Sequence, residues 1–210
     1  ITKNNLYKNM KKVCIIDYGS GNVASVFNVI NFLGYDCKIT NDLNYIQNSS
    51  HIILPGVGSY SAAMKKINEK LSISDLENEI LIKKKPFLGI CVGMQILSTC
   101  GYEFGECKGL NWISGVVKKV DNPKLPHIGW NNIQVKKNSA LLKDLDKDYN
   151  FYFVNSYHFI PENEEDIISQ TNYQQNFCSI IQKENIFGVQ FHPEKSPQFG
   201  LKLMRSFVEL

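Results

Sequence analysis

The residues best equipped for chemistry stand in two short stretches far apart in the chain. The first is Gly89-Ile90-Cys91-Val92-Gly93. A cysteine with a glycine two residues to either side is the nucleophile-elbow pattern G-x-S-x-G with sulfur in place of oxygen. Ahead of it, Phe87, Leu88 and Ile90 form an apolar run too short for a helix, which reads as a buried strand. Behind it, Met94, Ile96 and Leu97 continue as a helix that fades towards Gly101. The glycines let the backbone turn tightly and leave the approach to the sulfur clear. A cysteine at a helix N-terminus sits in the positive end of the helix dipole, which favours thiolate. The N–H of Val92, among the unpaired donors of that helix, is placed to face a developing oxyanion. A lone free cysteine is more often a small buried apolar residue, so a base and an orienting acid must decide between the two readings.

The second stretch supplies both. In Val189-Gln190-Phe191-His192-Pro193-Glu194, an apolar strand ends at a histidine followed by proline. The residue before proline is pushed to extended geometry. In an extended segment, residues two apart point the same way. His192 and Glu194 then share a face, with the carboxylate able to orient the imidazole. A solitary His-x-Glu is usually structural or solvated; at the end of an apolar strand, in a chain with a cysteine elbow, it reads as base and orienter.

With these residues the chain resembles the class I, triad-type glutamine amidotransferases, matching Cys91 to the nucleophile, His192 to the base and Glu194 to the orienter. Further stretches are similar to the glutaminase subunits of imidazole glycerol phosphate synthases. They are Ile16-Asp17-Tyr18-Gly19-Ser20-Gly21-Asn22, Pro55-Gly56-Val57-Gly58, Pro126-His127-Ile128-Gly129-Trp130-Asn131 and Tyr152-Phe153-Val154-Asn155-Ser156-Tyr157-His158. The resemblance runs from about Met10 to Leu210. It implies hydrolysis of L-glutamine to glutamate and ammonia through a cysteinyl thioester, with no cofactor and no metal. It implies oxyanion donors at Val92 and Val57, and substrate contacts at Gly58, Gln95, Glu103, Ser156 and Tyr157. It also implies a heterodimer with a (β/α)₈-barrel cyclase of histidine biosynthesis, docked through Trp130, Asn131 and Lys195. Two departures stand out. Asn155 replaces a histidine more usual before Ser-Tyr, and Thr99-Cys100-Gly101-Tyr102 replaces a more acidic run. They leave open a paralogue feeding a divergent barrel that amidates a sugar. A catalytically silent regulatory subunit is the remaining alternative within this resemblance, and the intact Cys–His–Glu set argues against it.

The elements that must position these groups alternate in the first half. Residues 13–16, 35–39 and 51–54 read as strands. Residues 23–33, 61–69 and 75–84 read as helices. This predicts an α/β fold, a three-layer sandwich around a central, mostly parallel sheet, as in flavodoxin-like proteins, with the site outside the carboxyl ends of the strands. The second half changes character. Strands are expected over 112–120, 132–136, 151–154, 166–171, 177–182 and 186–191, with antiparallel pairing, one short helix at 140–145 and a last helix at 198–210. One motif competes with the amidotransferase reading. Gly19-Ser20-Gly21-Asn22-Val23-Ala24 fits a dinucleotide fingerprint, with Asp42 as its acid. Asp17 at the strand end would repel a pyrophosphate.

Composition excludes several classes. The chain of 210 residues is 43% hydrophobic and 20% charged, ordinary for a globular protein. A formal charge of +3 is too small to imply nucleic-acid binding. No apolar run reaches the length of a membrane span. The six cysteines (Cys14, Cys37, Cys91, Cys100, Cys107, Cys178) form no C-x-x-C and no zinc spacing, which suggests a reduced, cytoplasmic protein. Residues 1–9 read as an appended extension before a natural start at Met10, and 10–210 as one domain.

Overall fold

β1 (Lys12–Ile16) is buried at every position after its first. Successive side chains of a strand face opposite ways, so such burial requires cover on both faces of the sheet. The computed structural model describes residues 11–145 and 149–210; residues 1–9, read above as an extension, lie outside them. From β1 the Asp17–Asn22 loop leads to α1 (Val23–Phe32), which buries Val26 and Ile30. β2 (Asp36–Thr40) follows, then α2 (Leu43–Asn48), a short helix that the apolar spacing does not announce. Its start is set by Asp42, whose side chain accepts the N–H of Asn44. β3 (His51–Gly56) is buried throughout. It is followed by α3 (Tyr60–Lys70) and α4 (Ile73–Glu77). The expected helix over 75–84 instead changes to one π-helical turn at Asn78–Ile82, where the buried carboxylate of Glu79 meets Lys83 and Lys85, each at 2.6 Å. β4 (Phe87–Cys91) and α5 (Val92–Gln95) form the elbow. α5 is a single turn, not a helix reaching Gly101. Beyond it the chain folds back so that Thr99 donates its N–H to Gly115.

Short strands β5 (Cys100–Gly101), β6 (Cys107–Lys108) and β7 (Gly115–Lys119) come next. The strand expected from Trp112 starts only at Gly115, because the Trp112 indole is buried and donates to Glu77 at 3.3 Å. β8 (His127–Asn132) and β11 (Tyr157–Pro161) are strands that alternation alone does not predict. Of the strand expected over 132–136, Asn132 ends β8 and Gln134–Val135 forms β9. β10 (Asn150–Asn155), β12 (Ile167–Tyr173), β13 (Gln175–Lys183) and β14 (Ile186–Val189) lie near their expected places. The helix expected over 140–145 is a 3₁₀ turn at Ala140–Leu142, and α6 (Pro197–Val208) closes the fold.

The main sheet runs β2-β1-β3-β4-β14-β13-β12-β9. It is parallel from β2 to β14 and antiparallel beyond. β11-β7-β5-β6 and β10-β8 form two smaller sheets. The decisive pairing is β4 with β14. They are parallel neighbours with Ile90 opposite Val189, so the residues that leave their carboxyl ends emerge side by side.

Candidate active site

Cys91 ends β4 with φ of +55° and ψ of −113°, a left-handed backbone that a side-chain-bearing residue rarely adopts. Such strain persists only where its surroundings fix it. Here the fixing is steric. A Cβ on Gly93 would lie 1.9 Å from the carbonyl oxygen of Leu54, and one on Gly89 would lie 2.4 Å from that of Gly93. The elbow is thus pressed onto β3 and β4 so closely that both glycines of the motif are required. Val92 opens α5, so its N–H belongs to the first turn that helix bonding leaves unpaired.

His192 is 3% exposed and reaches the same place from β14. Its N–H bonds the carbonyl of Tyr152, and a 3₁₀ turn over Pro193–Lys195 carries the chain on. Nδ1 of the imidazole lies 2.8 Å from Oε1 of Glu194, whose side chain is also buried. That oxygen accepts a second bond from the Asn22 amide at 3.2 Å. With Nδ1 committed to the carboxylate, Nε2 is the nitrogen left for the sulfur. Burial opposes charge on His192, yet hydrogen bonds with Cys91 and Glu194 outweigh it and raise its pKa to about 10.

A cavity of about 290 Å³ opens over these groups, at the small end of ligand pockets. Its walls include Cys91, Val92, His192, Val57, Gly58, Gln95, Glu103, Ser156, Tyr157 and Lys195, as well as Pro126, Val154 and Asn155. Trp130, Asn131 and Glu194 stand outside these walls. The Val57 carbonyl accepts the Ser20 hydroxyl at 2.7 Å. Glu103 is not a free loop acid: its Oε2 accepts the N–H of Tyr60 at the start of α3, at 2.7 Å. The Gln95 amide turns inward, donating to the Tyr157 carbonyl and to Gln190, each at 3.0 Å. Asn155 donates to the same Tyr157 carbonyl at 3.2 Å.

A sequence profile described as glutamine amidotransferase class-I matches residues 14–209. The chain belongs to the class I glutamine amidotransferases. It is 44% identical to the imidazole glycerol phosphate synthase subunit HisH of Pelagibacter ubique, over 94% of this chain and 99% of that one. The identity to the subunit of the same name in Moorella thermoacetica is 39%, over 96% of each. Two solved structures share the fold. They are a glutamine amidotransferase, with TM-score 0.73 and 16% identity over 94% of this chain and 97% of that one, and PurLQS from Thermotoga maritima, with TM-score 0.71 and 18% identity over 95% and 98%.

Within this amidotransferase the glycine-rich loop does not serve a dinucleotide. Asp17 accepts the Gly19 N–H at 2.8 Å, Lys66 binds the Gly19 carbonyl at 2.7 Å, Asn22 supports Glu194 and Asp42 caps α2. Among the described residues no His/Cys/Asp/Glu cluster could hold a metal ion, and no helix is long and apolar enough to cross a membrane. Beside the cavity, Trp130 is 55% exposed on β8. Its indole meets the edge of Tyr152, and the Lys195 ammonium stands over the tyrosine ring at 5.6 Å. Asn131 points the opposite way, donating to the Asn172 carbonyl at 3.0 Å and lying 3.3 Å from Nε2 of His127. Strand alternation separates it from Trp130. Two residues of this site lie inside the motif stretches with no role read for them: Asn22, in a loop, and Gln190. Gln190 carries one signal, as a polar residue in the apolar run from Phe187 to Phe191.

Proposed function

We propose that Cys91, His192 and Glu194 carry out glutamine hydrolysis and that the ammonia passes to a (β/α)₈-barrel cyclase making imidazole glycerol phosphate for histidine biosynthesis. The observation that carries the reading is a buried imidazole engaged with a carboxylate on one side and the elbow sulfur on the other. Cys91 Sγ attacks the side-chain amide carbon of glutamine. His192 takes up the thiol proton and gives it to the departing ammonia, leaving a thioester. His192 then draws a proton from water, which attacks the thioester and releases glutamate. Glu194 orients the ring and stabilises its cationic form. N–H groups of Val92 and Val57 face the oxyanion, each such donor being worth about 3 kcal/mol in the transition state. Glu103 pairs with the substrate ammonium, and Gly58, Gln95, Ser156 and Tyr157 shape the rest of the pocket.

Ammonia released into neutral water would mostly protonate and lose its nucleophilicity, so direct transfer to a docked synthase is useful. The patch of exposed Trp130 and Lys195 around half-buried Tyr152 at the cavity rim suits that docking, an aromatic anchor beside a cation being a common hot-spot composition. Asn131, whose amide bonds the Asn172 carbonyl, flanks that patch on the other face of β8.

The test is glutamine-dependent synthesis by this chain mixed with the cyclase. Trp130→Ala should weaken association and lower synthesis from glutamine, while cyclase activity with added ammonium persists. Cys91→Ala should still bind. Wild-type affinity in a folded Trp130→Ala protein would remove the docking claim. Failure to bind the cyclase at all, with glutaminase activity present, would favour the divergent barrel partner.

A further inference from the structure

We propose that Gln190 is a hydrogen-bond donor to the reacting sulfur, holding Cys91 Sγ as thiolate and in line for attack; this rests on the reading of Cys91 as nucleophile. Gln190 is fully buried between Val189 and Phe191, and its Nε2 lies 3.7 Å from Cys91 Sγ. The two residues are 99 positions apart. They meet because each directly follows one member of the Ile90–Val189 pair that closes the β4–β14 ladder.

The direction of the amide follows from its neighbours. The Tyr157 carbonyl can only accept, so Gln95 must turn its NH₂ group towards it at 3.0 Å. The same NH₂ group reaches Gln190 at 3.0 Å, which requires that Gln190 present its oxygen there. The opposite end of Gln190, facing the sulfur, is therefore NH₂. A single backbone carbonyl thus sets the polarity of the whole chain of amides.

Besides Gln190 and the His192 imidazole, the sulfur faces the Val154 carbonyl at 3.9 Å. That oxygen suits a thiol, whose S–H can donate to it. Facing a thiolate it can only repel. Gln190 has the opposite preference: its N–H bond to sulfur strengthens when the sulfur carries charge. Methionine would fill the same apolar space without an amide to satisfy, so packing alone does not account for a glutamine here.

The experiment is alkylation of Cys91 by iodoacetamide across pH, with peptide mapping, in wild type, Gln190→Glu and Gln190→Met. Gln190→Met keeps the volume and removes the donor to sulfur, whereas Gln190→Glu keeps the acceptor for Gln95 but sets a carboxylate against the sulfur. We expect Gln190→Met to shift the alkylation profile upward by about one pH unit, about tenfold slower on the rising limb, with an unchanged rate at the alkaline plateau, and Gln190→Glu to shift it further. Glutamine turnover should fall in kcat with KM little changed. In wild type, the Gln190 side-chain amide protons should shift over the same pH range as alkylation, and that shift should vanish in Cys91→Ala. A folded variant with the wild-type profile, or a wild-type amide signal that ignores pH, would overturn the proposal. Label on a cysteine other than Cys91 would instead remove the nucleophile assignment itself.

Discussion

Burial pushes the thiol of Cys14 up to about 12 and that of Cys37 up to about 11, and raises those of Cys107 and Cys178 as well. Cys91 alone pairs an elbow with an imidazole. An electrophilic glutamine analogue should therefore label Cys91 and none of those four, and Cys91→Ala should abolish both labelling and hydrolysis. Peptide mass mapping reads the first; label spread over Cys14, Cys37 or Cys107 would contradict it. His192 offers an independent check. Two of the contributions that raise its pKa come from Cys91, so Cys91→Ala should lower it from about 10, as followed by NMR of the ring protons. His192→Ala should be as damaging as loss of Cys91, and Glu194→Gln milder, since nucleophile and base act as a unit and the orienter tunes them. That Cys91, His192 and Glu194 come together is legible in the amino-acid sequence, because an elbow and a His-Pro-Glu turn declare their geometry in adjacent residues. Gln190 and Asn22 are not, because their roles depend on what comes from elsewhere in the fold.

At the level of elements, α6 backs directly onto the His-Pro-Glu turn. A Cβ on Gly200 would stand 1.9 Å from the carbonyl oxygen of Pro193. Alanine there gains about 1 kcal/mol of helix propensity, but overpacking against backbone costs about 1–3 kcal/mol. Gly200→Ala should therefore show a modest net loss in melting temperature together with a disproportionate fall in glutaminase kcat, since relief of the clash moves the turn that bears Glu194. A variant as active as wild type would mean that the turn does not depend on α6. The buried parallel strands are readable as apolar runs, and α1, α3 and α6 from apolar residues at helical spacing. β8 and β11 are hidden because their alternation is interrupted: Gly129 sits in the first, and His158-Phe159 places two buried residues in succession in the second. The π-turn after α4 carries the buried Glu79 and its two lysines, a feature that periodicity does not express.

Across the whole molecule, pH should act on stability from two directions. Burial holds His51 down at about 3 and His158 at about 4, both below the ordinary value of 6.5. The unfolded chain binds protons more readily at these sites, so the stability they contribute is complete above about 6.5 and is lost as pH falls towards 4 and then 3. His192 acts in the opposite sense: its contribution is complete below about 6.5 and fades as pH rises through about 10. Thermal melts should therefore pass through a maximum between these limits; a midpoint unchanged from pH 7 to pH 4 would contradict the acid limb. The pairing of β4 with β14 also has a consequence in time. During synthesis the elbow leaves the ribosome long before its base, its orienter and the amide that faces its sulfur, all of which lie at or beyond Gln190. A nascent chain thus exposes the elbow before the imidazole, the carboxylate and the amide that surround its sulfur have been made.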